Sequence, residues 1–221
     1  MRGKLIVLEG IDGSGKATQA RLLRESLEWA GRERRQIEFP RYGKPSAAMV
    51  QEYLDGNLGK KPGDVNAYAA SLFYAMDRYA SYKQDWGGFY EAGGLVVADR
   101  YATSNAVHQA SKLPAGERKA YLDWLFDTEY RLLALPEPDL VLYLDMPAAV
   151  TEGMMRRREA AAHTQGDIHE RDGDYQARCS RNAREIAGDL GWRVIPCASG
   201  GAPREIGDIH KEIWALVQEI L

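Results

Sequence analysis

Cysteine is scarce in this chain. Cys179 and Cys197 are the only two, too few for a disulfide framework and not at a metal-ligand spacing, so both read as reduced packing residues of a cytoplasmic protein. Long apolar runs are also missing, since none approaches the roughly 20 residues that a membrane span requires. The start, Met1-Arg2-Gly3-Lys4, leads into only four apolar residues, Leu5 to Leu8, before Glu9, which is not the pattern of a secretory signal. Positive charge is not in excess: 29 Lys and Arg stand against 32 Asp and Glu, a formal net charge of −3. A surface that coats nucleic acid would carry the opposite sign, although a small, locally basic anion site remains compatible. No Asn-Lys-x-Asp tetrapeptide occurs, which argues against a guanine-reading GTPase. The expectation is a soluble cytoplasmic protein with neither a nucleic-acid nor a membrane partner.

Internal repeats, linkers and composition shifts are absent too, and 221 residues are ample for one core, so residues 1–221 are expected to form a single domain. Short apolar runs of strand length recur at Leu5 to Leu8, Ile37 to Phe39, Leu95 to Ala98, Leu140 to Leu144 and Arg193 to Pro196, and their composition suggests strands buried on both faces. Between them lie helical spacings, such as Ala20, Leu23, Leu27 and Ala30 closed by Gly31, and Ile206, Ile209, Ile213, Leu216, Val217 and Ile220. Parallel strands need long crossovers and helices supply them, so the alternation implies an α/β fold: a five-stranded parallel sheet with helices on both faces. The polar stretch Arg156 to Asp174 buries little of itself, and residues 153–174 are read as a mobile lid.

Leu5-Ile6-Val7-Leu8-Glu9 runs into Gly10-Ile11-Asp12-Gly13-Ser14-Gly15-Lys16-Ala17-Thr18 and then an amphipathic helix. Strand, glycine-rich turn and helix in this order make a phosphate loop: the glycines let successive N–H groups converge on phosphate oxygens and the new helix adds its positive end. Lys16 is placed to reach the β- and γ-phosphates of a nucleotide. Ala17 departs from the pattern, which wants a Ser or Thr hydroxyl on magnesium there, so Mg²⁺ must be held by other groups; Thr18 can still bond a phosphate. Asp12 suits Mg²⁺ or substrate contact, with a turn-forming role as the alternative.

A second cluster, Asp99-Arg100-Tyr101-Ala102-Thr103-Ser104-Asn105, follows the strand at Leu95 to Ala98, at the edge where open α/β sheets bind ligands. Arg100 suits bidentate phosphate binding, and Asp99 could orient it or hold a magnesium-bound water. A purely structural ion pair is the competing reading.

With these residues in place the chain resembles the thymidylate kinase family of P-loop nucleoside-monophosphate kinases, nearly end to end. The similarity is carried by Glu9-Gly10-Ile11-Asp12 with Gly15-Lys16-Ala17-Thr18, by Phe39-Pro40-Arg41-Tyr42-Gly43, by Tyr74 with Asp77-Arg78, by Asp99 to Ser104, by the strand ending in Asp145, and by Glu170-Arg171-Asp172. The resemblance implies transfer of a phosphoryl group from ATP to dTMP. Gly10 to Thr18 would then bind ATP; Tyr74 would stack on thymine, with Phe73 as its neighbour and alternative, and Arg78 would bond the exocyclic oxygen. Phe39, Ser104 and Asn105 would shape the acceptor pocket, and Arg100 with Arg41 or Tyr42, beside Asp99, would hold the 5′-phosphate. Asp12 and Glu170 would meet the sugar 3′-hydroxyl or Mg²⁺. Gly13 stands where some family members place a catalytic arginine, which moves that role to the lid, to Arg157 ahead of Arg156 or Arg158. His108 stands where the family often has Tyr or Phe beside the sugar; His163 and His169 read as solvent-facing. Family likeness also implies a homodimer, consistent with the apolar content of Ala67 to Tyr82. Two other readings fit the same residues: a kinase for dUMP, UMP or a nucleoside, and a non-catalytic nucleotide-binding protein.

Overall fold

The structure, a computed structural model, describes residues 2–147, 149–151, 153, 167–169 and 171–221. Arg156, Arg157, Arg158, His163 and Glu170, with most of the expected lid, lie outside the described residues. Five parallel strands form the main sheet: β1 (Lys4–Glu9), β2 (Arg34–Glu38), β3 (Leu95–Asp99), β4 (Leu140–Asp145) and β5 (Arg193–Pro196), in the spatial order β2-β3-β1-β4-β5. All five fall on the apolar runs read from the sequence, but the two edges differ from expectation. β2 begins at Arg34 and is paired only with β3; its residues are exposed or half-buried, and β5 likewise buries only Ile195 fully. Edge strands are covered less than central ones and tolerate charge, which also discourages pairing with other chains. A two-stranded antiparallel hairpin, Ala198–Ser199 with Ala202–Pro203, turns through Gly200 and Gly201 beyond β5.

Alternation along the strands sorts two cores. Leu5, Val7, Val96, Ala98, Val141 and Tyr143 face one side, where they meet Tyr101, Ala106, Tyr121, Leu125, Cys179 and Ile186. Tyr101 caps α5 (Ala102–His108), and the others come from α5, α6 (Ala115–Phe126) and α7 (Gly173–Asp189), which follow α2 (Ala48–Leu54), α3 (Ala67–Ser81) and α4 (Gly87–Glu91) in the chain. Ile6, Leu8, Val97, Leu142 and Leu144 face the other side, against Leu23 and Leu27 of α1 (Lys16–Trp29) and Ile209, Ile213 and Val217 of α8 (Ile206–Gln218). The i, i+3/i+4 spacing of these residues puts one apolar stripe of each helix on the sheet. A smaller cluster of Val50, Tyr53, Leu54, Ala70 and Ile168 joins α2 and α3 to the segment ahead of α7. Both cysteines are buried, one on each side of the sheet, and burial pushes each thiol up to about 12. No helix among the described residues is long and apolar enough to cross a membrane.

Strand direction decides where chemistry can sit. Glu9, Glu38, Asp99 and Asp145 all end their strands at the same edge of the sheet, the carboxyl edge at which the loops after β1 and β3 open.

Candidate active site

The loop after β1 is shaped by backbone requirements. Gly15 sits at the amino end of α1 with φ 92°, a left-handed conformation that a side chain resists, and a Cβ on Gly10 would strike the Ser14 hydroxyl at 2.4 Å. Lys16 folds back over this loop, its Nζ donating to the carbonyl oxygens of Gly10 and Ile11, each at 2.9 Å. Burial lowers the Lys16 pKa to about 8, helped by Arg100 and opposed by Asp12, Asp99 and Glu9. Asp12, Gly13, Gly15, Lys16, Ala17 and Thr18 line an open cavity together with Glu38 and Asp99. Ile11 instead packs fully buried in the sheet core and Ser14 turns inward, so these two shape the loop from behind.

Arg100 is the pivot. It stands in the turn between β3 and α5 with φ 69°, a left-handed backbone costing roughly 1–3 kcal/mol for a residue with a side chain. Its N–H donates to Leu8 O at 3.1 Å, which ties that turn to β1. The guanidinium thereby crosses to the phosphate loop, where it pairs with Asp12 and lies 3.1 Å from His108 Nε2 and 3.3 Å from Ser104 Oγ. Burial opposes its charge, but Asp12, Glu9 and Asp99 outweigh burial and keep it protonated. For Asp12, burial works toward a raised pKa, yet Arg100 and Lys16 hold the carboxyl well below the usual range. Glu9 lies beneath, wholly buried; Thr103 Oγ1 donates to it at 2.6 Å and Ser104 Oγ at 2.8 Å, fixing the first turn of α5. Burial raises the Glu9 pKa against the pull of Arg100 and these hydroxyls.

A second cavity adjoins the first and shares Asp12, Phe39, Pro40, Tyr42, Arg100 and Asp167 with it. Its remaining wall includes Tyr74, Arg78, Ser104, Asn105, His108 and His169. Tyr74 therefore reaches the cavity, whereas Phe73 packs on Tyr53 with ring centroids 6.5 Å apart. Burial keeps the Tyr74 phenol protonated far beyond neutral pH. Arg78 is buried, with Nε 3.0 and 3.1 Å from the two Glu129 oxygens, Nη2 on Glu129 as well, and Nη1 3.4 Å from Tyr101 O. Arg41 does not line either cavity; Asp77, Asp85 and Ser46 occupy its guanidinium, and Tyr42 beside it faces both cavities. Asp99 lines the phosphate-loop cavity and not the second one.

His169 departs from its expected place in solvent: it is buried, and its Nε2 lies 2.7 Å from the Tyr53 hydroxyl. Sequence reasoning also passed over Gln176, whose Nε2 donates to Asp12 Oδ2 at 3.1 Å and to His169 O at 3.0 Å. Gln176 stands in the first turn of α7, on the face that buries Tyr175 and Cys179, a polar residue in an apolar stripe and thus a legible signal. Nothing in the sequence ties Tyr53 to residue 169, since they meet only in the folded chain.

Two contiguous cavities meeting at one guanidinium, at the carboxyl edge of a β2-β3-β1-β4-β5 sheet, are the arrangement of a P-loop nucleoside-monophosphate kinase fold. Likeness to known proteins narrows that class. The thymidylate kinase family model matches residues 8–213. A thymidylate kinase of Mycobacterium tuberculosis is 33% identical over 193 residues, covering 85% of this chain and 87% of that protein. The Homo sapiens thymidylate kinase is 29% identical over 222 residues, covering 100% and 92%. A solved thymidylate kinase from Candida albicans shares 22% identity and superimposes with a TM-score of 0.67 over 99% of this chain and 92% of that one, which speaks to the fold. The chain belongs to the thymidylate kinase family.

Proposed function

We propose that the chain transfers the γ-phosphoryl group of ATP to dTMP, giving ADP and dTDP, within a single domain spanning residues 1–221. The observation that carries this reading is the shared wall: Arg100 and Asp12 border both the phosphate-loop cavity and its neighbour, so donor and acceptor phosphates would meet there. ATP would set its phosphates on the loop N–H groups from Asp12 to Thr18, with Lys16 leaving its carbonyl partners for the β- and γ-oxygens. Tyr74 and Phe39 offer aromatic surface for a thymine ring, Arg78 and Asn105 polar atoms for its edge, and Ser104 with Arg100 contacts near the 5′-phosphate. An acceptor phosphate oxygen is already ionised at neutral pH, so no general base is needed; the protein aligns two anions and balances their charge.

Asp99 is the carboxylate that fits Mg²⁺ best. It lines the phosphate-loop cavity and its carboxylate makes no hydrogen bond or ion pair among the described residues, while the Asp12 carboxylate is held by Arg100 and Gln176. A carboxylate plus substrate phosphates and waters is a usual magnesium environment. Bound there, the ion would neutralise charge on the transferring phosphate. The lid, residues 153–174, would supply a further cation through Arg157, and Glu170 would approach the sugar or the metal. A cytoplasmic homodimer is part of the same reading. Tyr68, Leu72, Met76 and Tyr79 form an exposed stripe along α3, spaced so that they share one face.

Arg100→Met tests the shared wall. It should lower kcat/KM for dTMP by at least about 100-fold, the loss expected when a positioned charge is removed from a transferring phosphate, with the fold retained by circular dichroism. Unimpaired dTDP formation would refute the reading.

A further inference from the structure

Behind the second cavity a chain of polar contacts runs outward through residues the transfer reaction does not use. Lys112 Nζ donates to the Tyr53 hydroxyl at 2.8 Å and to Val65 O at 3.0 Å. Burial brings the Lys112 pKa down to about 7, but the ammonium and the neutral amine both carry enough N–H for these two acceptors. The Tyr53 oxygen therefore accepts from Lys112, and its own proton is left to donate. Two acceptors are in reach, His169 Nε2 at 2.7 Å and Pro62 O at 3.3 Å. The nearer is favoured, and a donor already on the phenol oxygen strengthens the bond that its proton makes.

This order of donors fixes the imidazole beyond. If Tyr53 donates to His169 Nε2, the neutral ring carries its proton on Nδ1; burial, aided by the Lys112 charge, lowers the His169 pKa to about 3, so the ring is neutral at working pH. The same ring stands edge-on to Tyr53, with centroids 5.2 Å apart, and lies 5.9 Å from the His108 ring at 16° between planes. His108 Nε2 accepts from Arg100, Arg100 pairs with Asp12, and Gln176 closes the circuit from Asp12 to the His169 carbonyl. Asp12, Arg100, His108 and His169 all border the second cavity. Tyr53, fully buried, and Lys112 do not.

We propose that Lys112 and Tyr53 are positioning residues for the acceptor cavity: Lys112 orients the Tyr53 hydroxyl, and Tyr53 holds His169 as the Nδ1-protonated neutral ring flat against His108. The proposal rests on the reading of that cavity as the dTMP site. Its effect is on acceptor binding, because the phosphate loop and Lys16 make no hydrogen bond, ion pair or ring contact with Lys112 or Tyr53 among the described residues.

Steady-state kinetics on the full chain test it with Tyr53→Phe, Lys112→Met and the double variant. Each single change should raise KM for dTMP about five- to tenfold, the usual worth of one hydrogen bond, while kcat and KM for ATP stay within about twofold. The double variant should be no worse than Tyr53→Phe, since Lys112 acts through that hydroxyl. An unchanged KM for dTMP, an equal rise in KM for ATP, or additive losses would each overturn the proposal. Nitrogen-15 NMR of the unmodified protein gives a second readout: His169 should show an unprotonated Nε2 and a protonated Nδ1, and the reverse tautomer overturns the proposal without any variant. Wild-type protein that turns over no dTMP would instead defeat the reading of the cavity.

Discussion

Glu129→Gln is the substitution whose cost the structure defines most sharply. Arg78 and Glu129 are 1% and 0% exposed, and three of the guanidinium's contacts go to this one carboxylate. Burial alone would weaken the Arg78 charge; Glu129 outweighs it and holds the guanidinium protonated. The amide of glutamine has nearly the shape of the carboxylate, so no cavity opens, but the charge of Arg78 is left uncompensated and one amide NH₂ faces its donors. Breaking a buried pair from one side costs about 3–5 kcal/mol. At roughly 2–4 °C per kcal/mol for a chain of this size, the melting temperature should fall by about 6–20 °C. Urea unfolding read by tryptophan fluorescence measures the loss directly, and KM for dTMP should rise in parallel, because Arg78 also borders the acceptor cavity. A loss below about 1 kcal/mol would mean that solvent reaches the pair, and the buried-pair reasoning would fail.

Histidine burial gives a pH signature. His108 is held far below 6.5 by burial and Arg100, and His169 is brought to about 3 by burial and Lys112; the unfolded chain therefore binds protons that the folded chain refuses. Stability should fall as pH drops below about 6.5, by up to about 1.4 kcal/mol per pH unit per histidine, and denaturation midpoints between pH 6.5 and 5 should show a shallower slope in His169→Phe; an identical slope refutes this. Leu72→Asp sets a charge in the exposed α3 stripe and should convert a dimer to monomers in sedimentation velocity without changing secondary structure; a dimer that persists would place the interface elsewhere.

Much of this architecture was legible because its signals are local. A strand, a glycine turn and a lysine on the next helix are contiguous in Leu5 to Lys16, and a short apolar run marks each of the five strands of the sheet. Where the reading went astray, the cause was distance. Arg34, Arg35 and Gln36 do not look like strand residues, and only the edge position of β2, which leaves side chains free to reach water, accommodates them. His169 looked solvent-facing because its partner Tyr53 lies more than a hundred residues earlier in a helix that carries no motif. Arg41 shows a related limit: its position next to Pro40 is local, but the acids that occupy its guanidinium, Asp77 and Asp85, come from α3 and the turn after it. Tyr74 and Phe73 are neighbours in the sequence, and only the facing of α3 puts Tyr74 on the cavity wall and Phe73 on Tyr53.

If the second cavity takes dTMP as phosphoryl acceptor from ATP on the phosphate loop, acceptor preference tests it most directly. Initial rates of ADP release, with the nucleotide product identified by chromatography, should be measured across dTMP, dUMP, UMP, dCMP and thymidine. The product should be dTDP and kcat/KM should be highest for dTMP; a faster reaction with thymidine or UMP, or ATP binding without transfer to any of the five, would contradict this assignment of the cavity.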